Sequence, residues 1–94
     1  MITIEQLIHF VGTDNSQEEI EIVTFALNSA IEELKRITLV EWSAETNNAV
    51  AIEAIQAMVY RNYWGIRDSA KNLDFLNEHI NQKIRLLKYS DEVV

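Results

Sequence analysis

Two histidines, fifteen carboxylates and eight basic side chains are the chemistry-bearing residues of this chain, and no cysteine joins them. The missing thiol removes disulfides, thiolate nucleophiles and cysteine-ligated zinc together, and leaves the redox compartment open. His9 and His79 each stand alone, without a second histidine three or four residues away, which a two-histidine zinc motif on a helix requires. Glu78 adjoins His79 and so points about 100° away from it on a helix. Both imidazoles read as surface or interface groups. The two glycines, Gly12 and Gly65, lie too far apart to build a phosphate-cradling turn. Glu18, Glu19, Glu21, Glu32 and Glu33 fit a solvated helix face, and nothing in their spacing buries two of them together as an acid–base pair. The expectation is a chain that is not an enzyme, with no catalytic, cofactor-binding or metal-ligating residues.

The formal charge of −7 repels a polyanion wherever basic residues are not gathered on one face. The basic cluster Lys83, Arg85 and Lys88, interleaved with Leu86 and Leu87, reads as cations placed near the carbonyl end of a helix, where its dipole favours them. No sequence-specific nucleic-acid partner is expected. Nothing approaches a membrane-spanning apolar run, and the N-terminus lacks the basic flank and cleavage site of a signal peptide, so no membrane partner is expected and the protein should stay in the cytosol. The 94 residues suit one domain spanning 1–94, with one modest core.

Four helices must position these groups. Thr3 and Gln6 have capping-box spacing, and Ile4, Leu7, Ile8 and Val11 then run at helical period until Gly12. A polar loop through Thr13, Asp14, Asn15 and Ser16 follows, with Ser16 and Glu19 spaced as a second capping box. The second helix is predicted over Gln17–Ile37, on a stripe of Ile20, Val23, Ala26, Leu27, Ala30, Ile31, Leu34 and Ile37; Glu32 is one turn from Arg36 and set to pair with it. Thr38 to Ser43 reads as an extended connector, able to pair as a strand with another subunit. A third helix, capped by Ser43 or Thr46, runs to about Gly65 and is apolar nearly all round; between Asn47 and Ile66 only Glu53 and Arg61 carry charge. After a polar turn through Asp68, Ser69 and Lys71, a fourth helix carries Leu73, Leu76, Ile80, Ile84 and Leu87 on one stripe, and residues 90–94 read as a flexible tail. The predicted fold is all-α: a compact bundle of four helices, one short and three long, with an extended connector between helices two and three.

Several apolar residues fall off these stripes. Phe25 projects opposite the stripe of helix two, among Glu18, Glu21, Ser29, Glu32 and Arg36. Helix three adds Val50, Ala54, Ala57 and Trp64 away from its main stripe of Ile52, Ile55, Val59, Tyr63 and Ile66. Helix four has a second, mixed stripe of Phe75, His79, Gln82, Leu86 and Tyr89. Two stripes on each of three helices exceed what a small bundle buries internally, so a surface for self-association or docking is expected, with Phe25, Trp42, Trp64, Phe75, Leu86 and Tyr89 as interface candidates. In the competing monomeric packing, Tyr60 and Trp64 are simply a core aromatic pair.

This order of elements resembles the small head–tail connector, or adaptor, proteins of long-tailed double-stranded DNA phages and prophages. A short helix and polar turn precede a long helix with an acidic start, a variable connector, an apolar helix ending in aromatics, and a last helical segment. The most specific stretch is Asn62, Tyr63, Trp64, Gly65, Ile66, Arg67 and Asp68, where the family shows a polar residue, two aromatics, a short polar spacer, then arginine and an acid. The chain departs from that pattern in lacking the glycine and basic residue after helix two and the proline before the last segment, and in placing Gly65 and Ile66 as spacer. The resemblance implies a structural virion protein located in the head–tail connector, and in the host cytoplasm during assembly. Its subunits would form a cyclic, dodecameric homo-oligomer beneath the portal protein, extend the channel through which DNA passes, and present a platform to stopper, head-completion or tail proteins. The alternatives are a small helical phage regulator, DNA-binding or antirepressor-like, and a helical enzyme subunit. Helix three offers only Gln56, Arg61 and Asn62 for reading DNA.

Overall fold

The backbone turns where capping chemistry tells it to. A computed structural model describes residues 1–68 and 70–93, the side chains of 89–93 excepted. Its four helices are α1 (Ile4–Val11), α2 (Gln17–Thr38), α3 (Ala49–Arg67) and α4 (Asp74–Val93), and no strand occurs among the described residues. Thr3 opens α1 with a complete capping box: its hydroxyl accepts from the Gln6 N–H, and the Gln6 side chain accepts from the Thr3 N–H. Gly12 ends α1 at φ 84°, a left-handed conformation that costs glycine no Cβ clash.

At the start of α2 only half of the expected box forms. Ser16 Oγ accepts from the Glu19 N–H, but the Ser16 N–H donates to Asp14 Oδ1, and the Glu19 carboxylate is drawn away to α3. Near the other end Glu32 pairs with Lys35 rather than with Arg36. The helix closes on Leu39 at φ 60°, and Thr38 organises the exit: its hydroxyl donates to the Leu34 carbonyl and accepts from the Trp42 indole N–H at 2.9 Å. The connector that follows makes no strand, and it is tied to the N-terminal segment by a hydrogen bond from the Ile2 N–H to the Ala44 carbonyl.

The cap of α3 is Asn48, whose side-chain oxygen accepts from the Val50 and Ala51 N–H groups. This corrects the expected Ser43 or Thr46. Those two hydroxyls instead accept from N–H groups two residues on, at Glu45 and Asn48, and so shape the connector's turns. The α3 helix also runs past Gly65 to Arg67, and α4 begins one residue after Leu73.

Helix α3 packs against α1, α2 and α4 at once. Its buried residues, Ala51, Ala54, Ile55, Ala57, Met58, Val59 and Tyr63, run around most of the perimeter. The expectation that its second stripe lies at an outer surface therefore fails. Ala54 and Ala57 are buried and Val50 and Trp64 half-buried, because alanine side chains let neighbouring helices approach closely enough to cover both sides. Each of the three charged residues on α3 is paired to another helix: Glu53 to Lys83 on α4, Arg61 to Glu33 on α2, and Arg67 to Glu18 and Glu19 on α2. The α2 stripe closes the core from one side and Ile80, Ile84 and Leu87 of α4 from another. A radius of gyration of 13.2 Å marks a compact chain, against about 12 Å for a globular domain of this length.

Leu39 is 89% exposed and sits in a backbone region that disfavours any side chain with a Cβ. Leu39→Gly is expected to raise stability by about 0.5–1 kcal/mol, read as a higher urea midpoint at unchanged slope. A fall in the midpoint would mean that the leucine side chain makes a stabilising contact.

Candidate interaction surfaces

The stretch from Asn62 to Asp68, the most specific part of the resemblance, does its local chemistry inside the subunit. Tyr63 is buried and its hydroxyl donates to Glu19 Oε2 at 2.9 Å. One turn on, the Arg67 guanidinium pairs with the same carboxylate and reaches Glu18 at 3.5 Å. The Glu19 carboxylate beside it holds the Arg67 guanidinium above its ordinary pKa. Asp14 completes the corner, its carboxyl held below the usual value chiefly by the Ser16 N–H it accepts from. Further along the seam, Arg61 Nη2 lies 3.1 Å from both Glu33 oxygens, and Asn62 Nδ2 donates to the Ala26 carbonyl at 3.4 Å. These bonds fasten the end of α3 to the start and middle of α2, running antiparallel.

The aromatic residues form a second cluster. Trp64 meets Tyr63 edge-on, with ring centroids 5.1 Å apart, and lies tilted against Tyr60 at 6.3 Å. Phe10 of α1 closes edge-on over Tyr60 at 5.8 Å, and Lys71, beyond α3, places its ammonium 4.2 Å from the Trp64 ring centroid. Among the described residues the buried Trp64 indole N–H finds no hydrogen-bond acceptor. Trp64, expected at an interface, thus spends most of its surface on neighbours in its own chain.

Outward-facing apolar surface lies elsewhere. Phe25 is 63% exposed and Ile66 is 52% exposed; they flank a shallow groove of about 360 Å³ between α2 and α3, lined also by Ser29, Glu33, Arg61, Asn62 and Gly65. On α4, Phe75 is 66% and Leu86 51% exposed, on the side turned away from the Ile80, Ile84 and Leu87 stripe. Trp42 is half-buried against the core with its indole N–H engaged by Thr38. The Tyr89 side chain and the proposed tail beyond it lie outside the described side chains. Leu39 was missed as a surface residue, since a leucine in a left-handed cap has no sequence signature of its own.

His9 is exposed on α1 and shares a shallow cleft with Thr3, Glu5 and Gln6; Glu5, one turn earlier, is the neighbour the sequence reading passed over. Among the described residues no three His, Asp or Glu side chains converge as a metal site. No helix among them is long and apolar enough to cross a membrane. Comparison with protein families, with curated proteins and with solved structures returns no match to this chain.

The clamp is directly testable. Tyr63→Phe is expected to cost about 1 kcal/mol by urea denaturation, the worth of one part-buried hydrogen bond to a carboxylate. The ion pair joining Glu53 of α3 to Lys83 of α4 gives a pH dependence. Lys83 lowers the Glu53 carboxyl below its ordinary 4.5, so its stabilisation is present above that value and is lost as pH falls below it. Glu53→Gln is expected to flatten part of the loss of melting temperature between pH 5 and pH 3, measured by circular dichroism about every half unit; an unchanged slope would remove Glu53 from the acid response.

Proposed function

We propose that this chain is a structural virion protein of a phage or prophage, a head–tail connector that works as a ring of identical subunits under the portal. The packing is read as a four-helix bundle in which α3 is the central member. The observation that carries the proposal is the separation of two outward apolar faces, Phe25 with Ile66 on the α2–α3 side and Phe75 with Leu86 on α4. A closed ring requires such a pair, because head-to-tail contacts join two different patches on each subunit. The order of helices and the stretch Asn62–Asp68 support the same reading by resemblance.

In this account the protein is not an enzyme. The ring extends the DNA channel, and an excess of carboxylates suits a passage through which DNA must slide without adhering. The portal protein would hold one end of the ring, and stopper, head-completion or tail proteins the other. The chain would reside in the host cytoplasm until it is built into the virion connector. A DNA-reading role is less well supported, since Arg61 and Asn62, two of the three groups helix three would use, are engaged on Glu33 and the Ala26 carbonyl.

Deleting the gene from the source phage or prophage is the functional test. The expected result is an induced lysate containing heads and tails that fail to join, restored by expression of the chain in trans. Plaque-forming, tailed particles at normal titre from the deletion would overturn the proposal, and firm heparin retention at low salt would then favour the regulator.

A further inference from the structure

We infer that Lys71 is a latch: its ammonium, seated over the Trp64 and Tyr60 rings, holds the aromatic corner at the end of α3 closed, and its release opens that corner while the helices stay folded. The inference concerns the subunit alone and does not depend on the connector reading.

Tyr60 and Trp64 lie one turn apart on α3, so their rings stand side by side on one face of the helix, both half-buried. Phe10 packs edge-on against Tyr60, and Tyr63 edge-on against Trp64. Lys71 adds the cation. Its Nζ is 4.2 Å from the Trp64 ring centroid and 5.7 Å from that of Tyr60, within reach of a cation–π attraction to both. The choice of partner is informative. Asp68 stands three residues before Lys71 and Asp74 three after, yet among the described residues the ammonium pairs with no carboxylate, whereas Lys35, Arg61, Arg67 and Lys83 all do. The backbone is set for this contact. The Lys71 N–H donates to the Asp68 carbonyl at 3.1 Å and the Ala70 N–H to Asp68 Oδ1 at 3.2 Å, which turns the chain back toward the end of α3.

Two effects of opposite sign meet at Trp64. The cation gains on the two rings, but Lys71 is an exposed residue that water also solvates, so the gain is at the weak end of its range. Against it, the indole N–H is buried with no acceptor among the described residues, a desolvation cost that contact with water removes. The margin that keeps the corner closed is therefore small. The helix beneath it is held far more firmly, since Ile55, Met58 and Val59 are fully buried. A weakly held corner on a firmly held helix opens locally, without global unfolding. Opening presents two ring faces and one hydrogen-bond donor together.

Hydrogen exchange of the indole N–H groups, read by NMR on the full chain, tests this. The chain's other tryptophan is Trp42, whose N–H is bonded to Thr38, and Trp42→Phe tells the two signals apart. In wild type the Trp64 N–H is expected to exchange at a rate that urea leaves unchanged below the unfolding transition, while the Met58 and Val59 amides speed up as urea is added. Lys71→Gln removes the charge and is expected to speed Trp64 exchange about two- to fivefold, the worth of one surface cation–π contact, with circular dichroism unchanged and Lys71→Arg restoring the wild-type rate. Trp64 exchange that rises with urea in parallel with Met58 overturns the local opening. A Gln variant that exchanges at the wild-type rate or has lost helix, or an Arg variant as fast as Gln, overturns the latch.

Discussion

Helix α3 is apolar around most of its perimeter and packs against three other helices at once, and the rest of the chain is arranged around that constraint. Its charged residues are Glu53, Arg61 and Arg67, and each is neutralised by a partner on a neighbouring helix. Apolar burial says only that α3 must be covered; the pairs say by what. Glu33 and Glu19 fix α2 along one seam, and Lys83 fixes α4 along another. Half-exposed pairs of this kind add little net stability, since desolvation offsets most of their Coulomb attraction, but a mispaired register would leave a charge unmatched beside an apolar wall. Packing supplies the stability and the charges supply the register.

Enclosing α3 has a consequence for function. Once the α3 aromatics are packed against Phe10, one another and Lys71, the large apolar residues left exposed lie on α2 and α4, at Met1 and Phe10, at Ile66 near the end of α3, and at Leu39 on the α2–α3 connector. These are separate patches rather than one continuous face, which suits a subunit held between two neighbours better than one that forms a two-fold dimer. The stretch most suggestive of the connector family is thus a fastening between helices. That is consistent with a ring subunit, in which the shape presented to neighbours matters more than any single reactive group.

The helices were legible in the sequence wherever their signals are local. Thr3, Ser16 and Gly12 mark their ends through bonds made within four residues, and the α2 stripe follows from spacing alone. What escaped was decided at a distance. Ser43, Thr46 and Asn48 are all competent caps for α3, and the choice among them depends on where the connector is held by Ile2. The Glu19 side chain left its capping box because Tyr63 and Arg67, more than forty positions away, hold it more strongly. The second stripe of α3 looked like surplus surface because spacing shows which residues share a face and not how closely alanines allow a neighbour to come. Phe25, Phe75 and Leu86 were readable as outward-facing residues, since each lies opposite a clear core stripe; Leu39 was not.

Quantitative mass spectrometry of purified particles from an induced lysate of the source strain bears most directly on the connector account. A copy number per particle equal or close to that of the portal protein, and far below that of the capsid protein, is the result the account requires. Intact, infectious particles that lack the chain would contradict it.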